Sequence, residues 1–182
     1  EDQQSTSGNV TITVTPNLLL ANGVDTCLVT ITARDALGQP VPDNTVITLV
    51  AGEKFVDIDE NGTFTPGIDS VVYDINGNGT WDAMGQIPSS VQTSGGEGQA
   101  TATYVAGNTA GTAYLKATVA DESIGGAADR AVTLSPDADV NSIYLYADTV
   151  NLVVKGTGGI ETCILEATAY DVWGDPVPEG LP

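Results

Sequence analysis

Two stretches of this sequence carry oxygen-bearing side chains at every second position, a spacing that can hold a metal ion. The first has Asp57, Asp59 and Asn61 at positions 1, 3 and 5, followed by Gly62 and Thr63. The second repeats those positions with Asp74, Asn76, Asn78, Gly79 and Thr80, and adds Asp82 at position 9. This is the ligand spacing of an EF-hand-type calcium loop, so both stretches are predicted to bind Ca²⁺.

The chemistry of calcium explains these residue types. Ca²⁺ takes six to eight oxygen ligands at about 2.3–2.6 Å, which short carboxylates and amides can supply. Glycine at position 6 permits a sharp turn, after which position 7 offers its backbone carbonyl, so Thr63 and Thr80 are predicted to be main-chain ligands. The aromatic residues at position 8, Phe64 and Trp81, are predicted to anchor the loops to the domain.

Both loops depart from the EF-hand pattern at position 12, where Ile68 and Gly85 replace the bidentate glutamate. Asp69, one residue later, could close the first site, and Glu53 could reach either loop. No helical pattern flanks the loops, so a calmodulin-type sensor pair is not expected. We expect weak to moderate affinity, with a Kd of about 10⁻⁴–10⁻⁶ M.

The same residues could instead form solvated turns held by Asx hydrogen bonds. Two matches in register within one segment favour calcium, and the local charge favours it too. Residues 53–82 contain seven acidic residues and one basic residue, Lys54, which leaves a net charge of −6. Such crowding destabilises a fold by self-repulsion unless a counterion is bound.

The whole chain of 182 residues is acidic, with 24 Asp and Glu against 5 Lys and Arg and a net charge of −19. Such a polyanion repels phosphate backbones, so a nucleic-acid partner is not expected.

The sequence has no histidine, which excludes Ser-His-Asp catalysis and imidazole metal ligands. Carboxylate pairs can hydrolyse glycosides, but no pattern indicates a cleft for them, so an enzyme is not predicted. No apolar run is long enough for a membrane span.

The hydrophobic pattern predicts an all-β protein, because 41% of the residues are hydrophobic and they alternate with polar ones. The clearest strand has Val10, Ile12 and Val14 alternating with threonines. Further strands are predicted at about 26–34, 45–51, 99–106, 112–119 and 129–134. Turn-rich segments separate them, which favours an antiparallel sandwich.

The chain also contains an internal repeat. Residues 17–27 resemble 151–163, and beyond them the offset is fixed at 136 residues. At this offset Asp35, Gly38, Pro40, Val41 and Pro42 match Asp171, Gly174, Pro176, Val177 and Pro178. We therefore predict a flexible arm at 1–8, a complete domain at 9–135 with an insertion at about 53–98, a linker at 136–142, and the start of a second repeat at 143–182.

Three segments carry a family resemblance. The Asp-x-x-Gly-x-Pro-Val-Pro turn, Thr93–Tyr104 and Ala110–Ala117 resemble the group-one bacterial immunoglobulin-like domains of invasin- and intimin-type surface proteins. The resemblance implies an antiparallel immunoglobulin-like β-sandwich that acts as a rod-like spacer or an adhesive module. The segment that contains the two loops resembles the Phe-x-Asp-x-Asn-Gly-Asn-Gly-x-Tyr/Trp-Asp calcium loops that are common in bacterial surface proteins.

The predicted function is an extracellular or cell-surface, calcium-binding structural repeat of a rod, stalk or fibre. Its partners would be neighbouring repeats or identical subunits. The alternative is an adhesive or carbohydrate-binding module of a larger secreted adhesin or enzyme, with a host or glycan ligand.

About forty residues are too few for the second repeat to bury a core of its own. Either the natural chain continues, or a neighbouring molecule donates a strand, for which 9–15 would be the donor. We favour the first, in which 9–15 is the first strand of its own domain.

The two cysteines occupy equivalent places in the repeat. Cys27 shares a predicted strand face with Val29, Ile31 and Ala33, and is predicted to be a buried free thiol. The alternative is a disulfide between subunits. A bridge from Cys27 to Cys163 is the least favoured, because equivalent positions of successive domains rarely approach within about 7 Å.

Overall fold

The structure, a computed structural model, describes residues 8–136, 139–149 and 151–177, and these contain thirteen strands and no helix. In chain order the strands are β1 (Asn9–Thr15), β2 (Leu18–Leu20), β3 (Thr26–Arg34), β4 (Val46–Gly52), β5 (Lys54–Val56), β6 (Ser70–Tyr73), β7 (Gly85–Gln86), β8 (Ser90–Gln92), β9 (Gln99–Ala106), β10 (Gly111–Val119), β11 (Ala127–Ser135), β12 (Ser142–Ala147) and β13 (Leu165–Tyr170). The all-β prediction is confirmed. The described residues include no helix of a length and apolarity suited to crossing a membrane.

All six strands predicted from alternation are present as β1, β3, β4, β9, β10 and β11. The sequence did not predict β2 or the short strands β5 to β8, because two to four residues are too few to show a period of two. Residues up to Ser135 contact mainly one another, and so do those from Pro136 onward, so the chain divides into two compact units.

The first unit is a sandwich of two sheets. One sheet has the order β1-β3-β9-β7, and the other has the order β2-β11-β10-β4-β8. All of their pairings are antiparallel except β2 with β11. In an immunoglobulin-type sandwich, strands one, two, five and four form one sheet, and strands three, six and seven form the other. Strands β1, β3, β4, β7, β9, β10 and β11 occupy those seven places in chain order, so the first unit is an immunoglobulin-like sandwich.

The core lies between these two sheets. Val29 and Ile31 of β3 face Leu115 of β10 and Val132 of β11, and none of the four is more than 1% exposed. Cys27, on the same face of β3, is buried and free, as predicted. Cys163 is also free but only half-buried.

The repeated turn forms the same hydrogen bonds in both units. Asp35 Oδ1 accepts the backbone N–H groups two and four residues further on, at 2.9 and 2.8 Å. Asp171 Oδ1 does the same at 2.8 and 2.9 Å. The glycine three residues after each aspartate has a positive φ, 77° and 90° respectively. The offset of 136 residues therefore marks a repeated local structure, although its last position, Pro178, lies outside the described residues.

The predicted insertion at about 53–98 is only partly an addition to the sandwich. Its later strands, β7 and β8, form one edge of each sheet. The part outside the two sheets is 53–82, which contains the β5–β6 hairpin and both predicted loops; we call it the excursion.

The proposed donor strand is paired within its own unit, because β1 runs antiparallel to β3 from Asn9↔Arg34 to Thr15↔Leu28. In the second unit β12 and β13 pair with each other. Of the predicted arm at 1–8, only Gly8 is described, and residues 137–138 of the linker and 178–182 of the second repeat also lie outside the described residues.

Candidate metal centre

The excursion lies over the outer face of β10. Alternation along β10 points Ala113, Leu115 and Ala117 into the core, so Tyr114, Lys116 and Thr118 face outward. The Tyr114 ring meets the Tyr73 ring edge-on at 5.9 Å, and Lys116 Nζ lies 5.6 Å from the centre of the Phe55 ring. The excursion is therefore packed against the sandwich along one strand.

Gly62 of the first loop lies close against Thr118 of β10. A Cβ added to Gly62 would lie only 2.7 Å from Thr118 Cβ, and the φ angle of Gly62 is 81°. Gly79, the equivalent residue of the second loop, has a φ of 77° but open space around it. Both loops need glycine for the positive φ of their turn, whereas only the first also needs it because a side chain there would collide with β10.

The first loop gathers three carboxylates. One oxygen from each of Asp57, Asp59 and Asp69 lies within 4.8 Å of the other two. Asp69, the residue after position 12, is the third member of this group, and its role as a calcium ligand stays a prediction. Among the described residues no other group of three acidic, cysteine or histidine side chains converges in this way.

The two oxygens of Asp57 have different surroundings. Oδ2 accepts the N–H of Gly62 at 2.9 Å and lies 3.6 Å from Lys116 Nζ. Oδ1 is buried and has no hydrogen-bond partner among the described residues. The Asp57 side chain is only 6% exposed. A buried carboxylate oxygen without a partner is costly, and a cation would remove that cost.

The remaining ligand candidates of the first loop fix its backbone. Asp69 accepts the N–H of Ile58 at 2.8 Å and that of Thr65 at 2.6 Å, which joins the two ends of the loop. Asn61 Oδ1 accepts both the N–H and the hydroxyl of Thr63, at 2.7 and 2.6 Å. Each Asp69 oxygen uses one lone pair in these bonds and keeps another for an ion, whereas Asn61 Oδ1 uses both of its lone pairs on Thr63.

The second loop repeats the backbone bonds but not the carboxylate group. Asp74 Oδ2 accepts the N–H of Gly79 at 2.8 Å, matching the bond from Gly62 to Asp57, and Oδ1 accepts the N–H of Gly77 at 2.6 Å. These bonds, that from Gly79 above all, lower the pKa of the Asp74 carboxyl. Asp82 Oδ2 accepts the amides of Asn76 and Asn78 at 2.8 and 2.7 Å. As in the first loop, the N–H and hydroxyl of the position-7 residue, here Thr80, bond to the position-5 Asn78 Oδ1, both at 2.7 Å.

Glu53 joins the second loop rather than the first. It is 1% exposed, and its two oxygens accept the N–H of Ile75 at 2.7 Å and the N–H of Asp82 at 3.1 Å. Glu53 therefore holds both ends of the second loop through its backbone.

The aromatic residues anchor the loops, as predicted. Phe64 and Trp81 lie nearly parallel at 6.1 Å, and the buried Phe55 meets both edge-on. The Trp81 indole N–H also donates to the Glu53 carbonyl at 2.6 Å. One aromatic cluster thus ties both loops to the strand that follows β4.

Sequence reasoning did not identify Lys116 or Thr118. Thr118 is 9% exposed, and its hydroxyl has no hydrogen-bond partner among the described residues. It lines a cleft of about 600 Å³ together with Asp57, Asp59 and Lys116. Alternation predicts that both residues face out of the sheet, but nothing local indicates that the excursion covers them.

Three solved structures are similar to this chain over nearly its full length. The adhesin FdeC of Escherichia coli is 20% identical with a TM-score of 0.47, and the match covers 96% of this chain and 44% of FdeC. InvD of Yersinia pseudotuberculosis is 22% identical with a TM-score of 0.50, covering 98% and 41%. The adhesin InvE of the same species is 23% identical with a TM-score of 0.43, covering 93% and 36%.

No protein-family model matches the chain, and a search of curated proteins finds no match either. The chain spans about two fifths of the length of the similar structures. At these identities the likeness concerns the fold, and InvD is the structure whose TM-score supports it. The chain thus has an all-β, immunoglobulin-like sandwich fold. Two of the three similar structures, FdeC and InvE, are adhesins.

Proposed function

We propose that this chain is a calcium-binding structural repeat of a bacterial surface adhesin, located outside the cell. Calcium bound in the first loop would fasten the excursion to strand β10. The partners would be neighbouring immunoglobulin-like repeats in a rod or stalk. The similarity to adhesin structures supports a location outside the cell, and the geometry of the first loop supports a bound calcium ion.

One observation carries the calcium assignment. Three carboxylates converge within 4.8 Å, and one of their oxygens, Asp57 Oδ1, is buried without a partner. Three like charges at this separation repel one another, and Lys116 offsets only part of that charge. A hard divalent cation matches an all-oxygen donor set and would neutralise most of it.

Fibre formation by strand exchange is the less favoured assembly. Strand β1, the proposed donor, makes seven register pairs with β3, all of which exchange would break. Repeats joined end to end along one chain require no such loss.

Isothermal titration calorimetry with calcium chloride, after removal of metal with EGTA, tests the calcium assignment. The variants are Asp57→Asn and Asp74→Asn, which make the same isosteric change at position 1 of each loop. We expect Asp57→Asn to weaken the tightest binding step at least about tenfold, because it removes a charge from the convergent group. Asp74→Asn should change that step by less than about threefold, because Asp74 lies outside it.

A thermal melt gives a second readout. Free calcium at about 100 times its Kd should stabilise the fold by about 2.7 kcal/mol and raise the Tm by roughly 5–10 °C. Unchanged melting at millimolar calcium, or equal titrations for the wild type and Asp57→Asn, would contradict the proposal.

A further inference from the structure

A separate cleft opens between the two loops of the excursion. We call it the inter-loop cleft, and it has a volume of about 530 Å³. Small-molecule sites are typically concave, about 300–1,000 Å³ in volume, and combine apolar walls with a few polar groups. The apolar wall here is Phe64, Pro66 and Trp81, and the polar groups are Asp69, Ser70 and Thr80.

The aromatic wall can accept a flat apolar partner. Phe64 and Trp81 are only 17° from parallel, yet their centres are 6.1 Å apart. Stacked aromatic pairs with centres this far apart are generally offset, so part of each face is left uncovered by the other ring. Both residues are half-buried and line the cleft.

The wall is also rigid. Phe55 supports both rings edge-on, and the Trp81 indole N–H is held by the Glu53 carbonyl at 2.6 Å. A ring that is already immobilised loses little conformational freedom when a ligand packs on it. The cleft is therefore preorganised for binding.

Hydrogen-bonding groups stand beside this wall. Ser70 and Thr80 carry hydroxyls, and Asp69 carries a carboxylate. Gly67 and Gly79 also line the cleft, and a Cβ added at either would meet nothing within 4 Å. Their peptide groups are thus open to close approach by a ligand.

These features together fit a sugar ring. A pyranose has a face of C–H groups that packs on an aromatic ring and a rim of hydroxyls that bonds to polar side chains. The excursion carries a net charge of −6, which disfavours anionic sugars. We propose that the inter-loop cleft binds a neutral pyranose stacked against Phe64 and Trp81, with its hydroxyls bonded to Ser70, Thr80 and Asp69.

This proposal rests on the proposed function at one residue. Asp69 belongs both to the carboxylate group of the first loop and to the cleft lining. Calcium in the first loop would therefore fix one side of the cleft, and sugar binding should be stronger with calcium than with EGTA.

Saturation-transfer NMR on the full chain in calcium tests the proposal. The probes are methyl α-glucopyranoside, methyl α-mannopyranoside, methyl β-galactopyranoside and N-acetylglucosamine, with N-acetylneuraminic acid as the anionic comparison. We expect at least one neutral probe to bind with a Kd of about 1–10 mM, and the anionic probe to bind at least about tenfold more weakly.

Two variants and a control locate the site. Phe64→Ala should weaken sugar binding at least about tenfold, and Ser70→Ala, which removes an exposed hydroxyl without disturbing packing, about two- to fivefold. Val72→Ala is the control, because Val72 is 59% exposed on β6 and does not line the cleft. It should bind as the wild type does.

Absence of binding by all four neutral probes, equal binding of the anionic probe, or unchanged binding in both Phe64→Ala and Ser70→Ala would overturn the proposal. Calcium titration of the same samples separates the two hypotheses. A chain that binds calcium but no sugar contradicts the cleft assignment alone, whereas one that binds sugar equally in calcium and EGTA contradicts the link through Asp69.

Discussion

At the scale of single residues, the two loops differ at position 1. Each has an aspartate there, but the two aspartates differ in how many of their oxygens already accept a hydrogen bond. Asp57 keeps one buried oxygen without a hydrogen-bond partner among the described residues, whereas both oxygens of Asp74 accept backbone N–H groups. The Asp57 side chain is also only 6% exposed and lies 3.6 Å from Lys116 Nζ of β10, and among the described residues Asp74 is not part of a convergent acidic group. The first loop is therefore the better candidate for an ion, a difference that spacing alone does not reveal.

The two cysteines should differ sharply in reactivity. Cys27 is 2% exposed, and its burial raises the pKa of the thiol, so little reactive thiolate is accessible. Cys163 is half-buried and should react at once with iodoacetamide at neutral pH, whereas Cys27 should react only on unfolding. Mass spectrometry after timed labelling, with a urea-unfolded control, checks this. Equal labelling rates in the native protein would show that β3 is less protected than its packing implies.

At the scale of elements, alternation was sufficient to predict the six longer strands of the sandwich but not its short strands β2, β7 and β8. Val29 and Ile31, for example, are buried and Thr30 is not, as a period of two requires. The spacing of acidic residues also singled out Asp57, Asp59 and Asp69, whose oxygens converge, while their role as calcium ligands stays a prediction. The placement of the excursion could not be predicted, because it depends on contacts such as Tyr73 with Tyr114, which are distant in sequence and carry no local pattern.

Docking of the first loop on β10 predicts unequal effects of one substitution. Gly62→Ala and Gly79→Ala each force alanine into a left-handed conformation, at about 1–2 kcal/mol. Gly62→Ala also collides with Thr118, which should add roughly 1–3 kcal/mol. Urea unfolding of both variants in EGTA measures the difference. Equal losses of stability would mean that the loop does not rest on β10.

At the scale of the whole molecule, the two units should differ in protection although they share a local repeat. Strands β12 and β13 form an isolated two-stranded sheet whose Ile143, Tyr144, Leu145 and Tyr146 are all more than half exposed. A two-stranded sheet with an exposed apolar face is marginally stable in water. The amides of β13 should therefore exchange with deuterium much faster than those of β3. Hydrogen-exchange mass spectrometry compares them directly, and similar protection would indicate that the second unit is stabilised by contacts beyond its own sheet.

The most direct test of the calcium centre is a crystal structure of the chain grown in millimolar calcium chloride, with anomalous scattering measured at the ion. The account predicts an anomalous peak about 2.3–2.6 Å from oxygens of Asp57, Asp59 and Asp69, with Asp57 Oδ1 among the ligands. A structure in which the first loop has no such peak, and Lys116 remains the partner of Asp57, would contradict it.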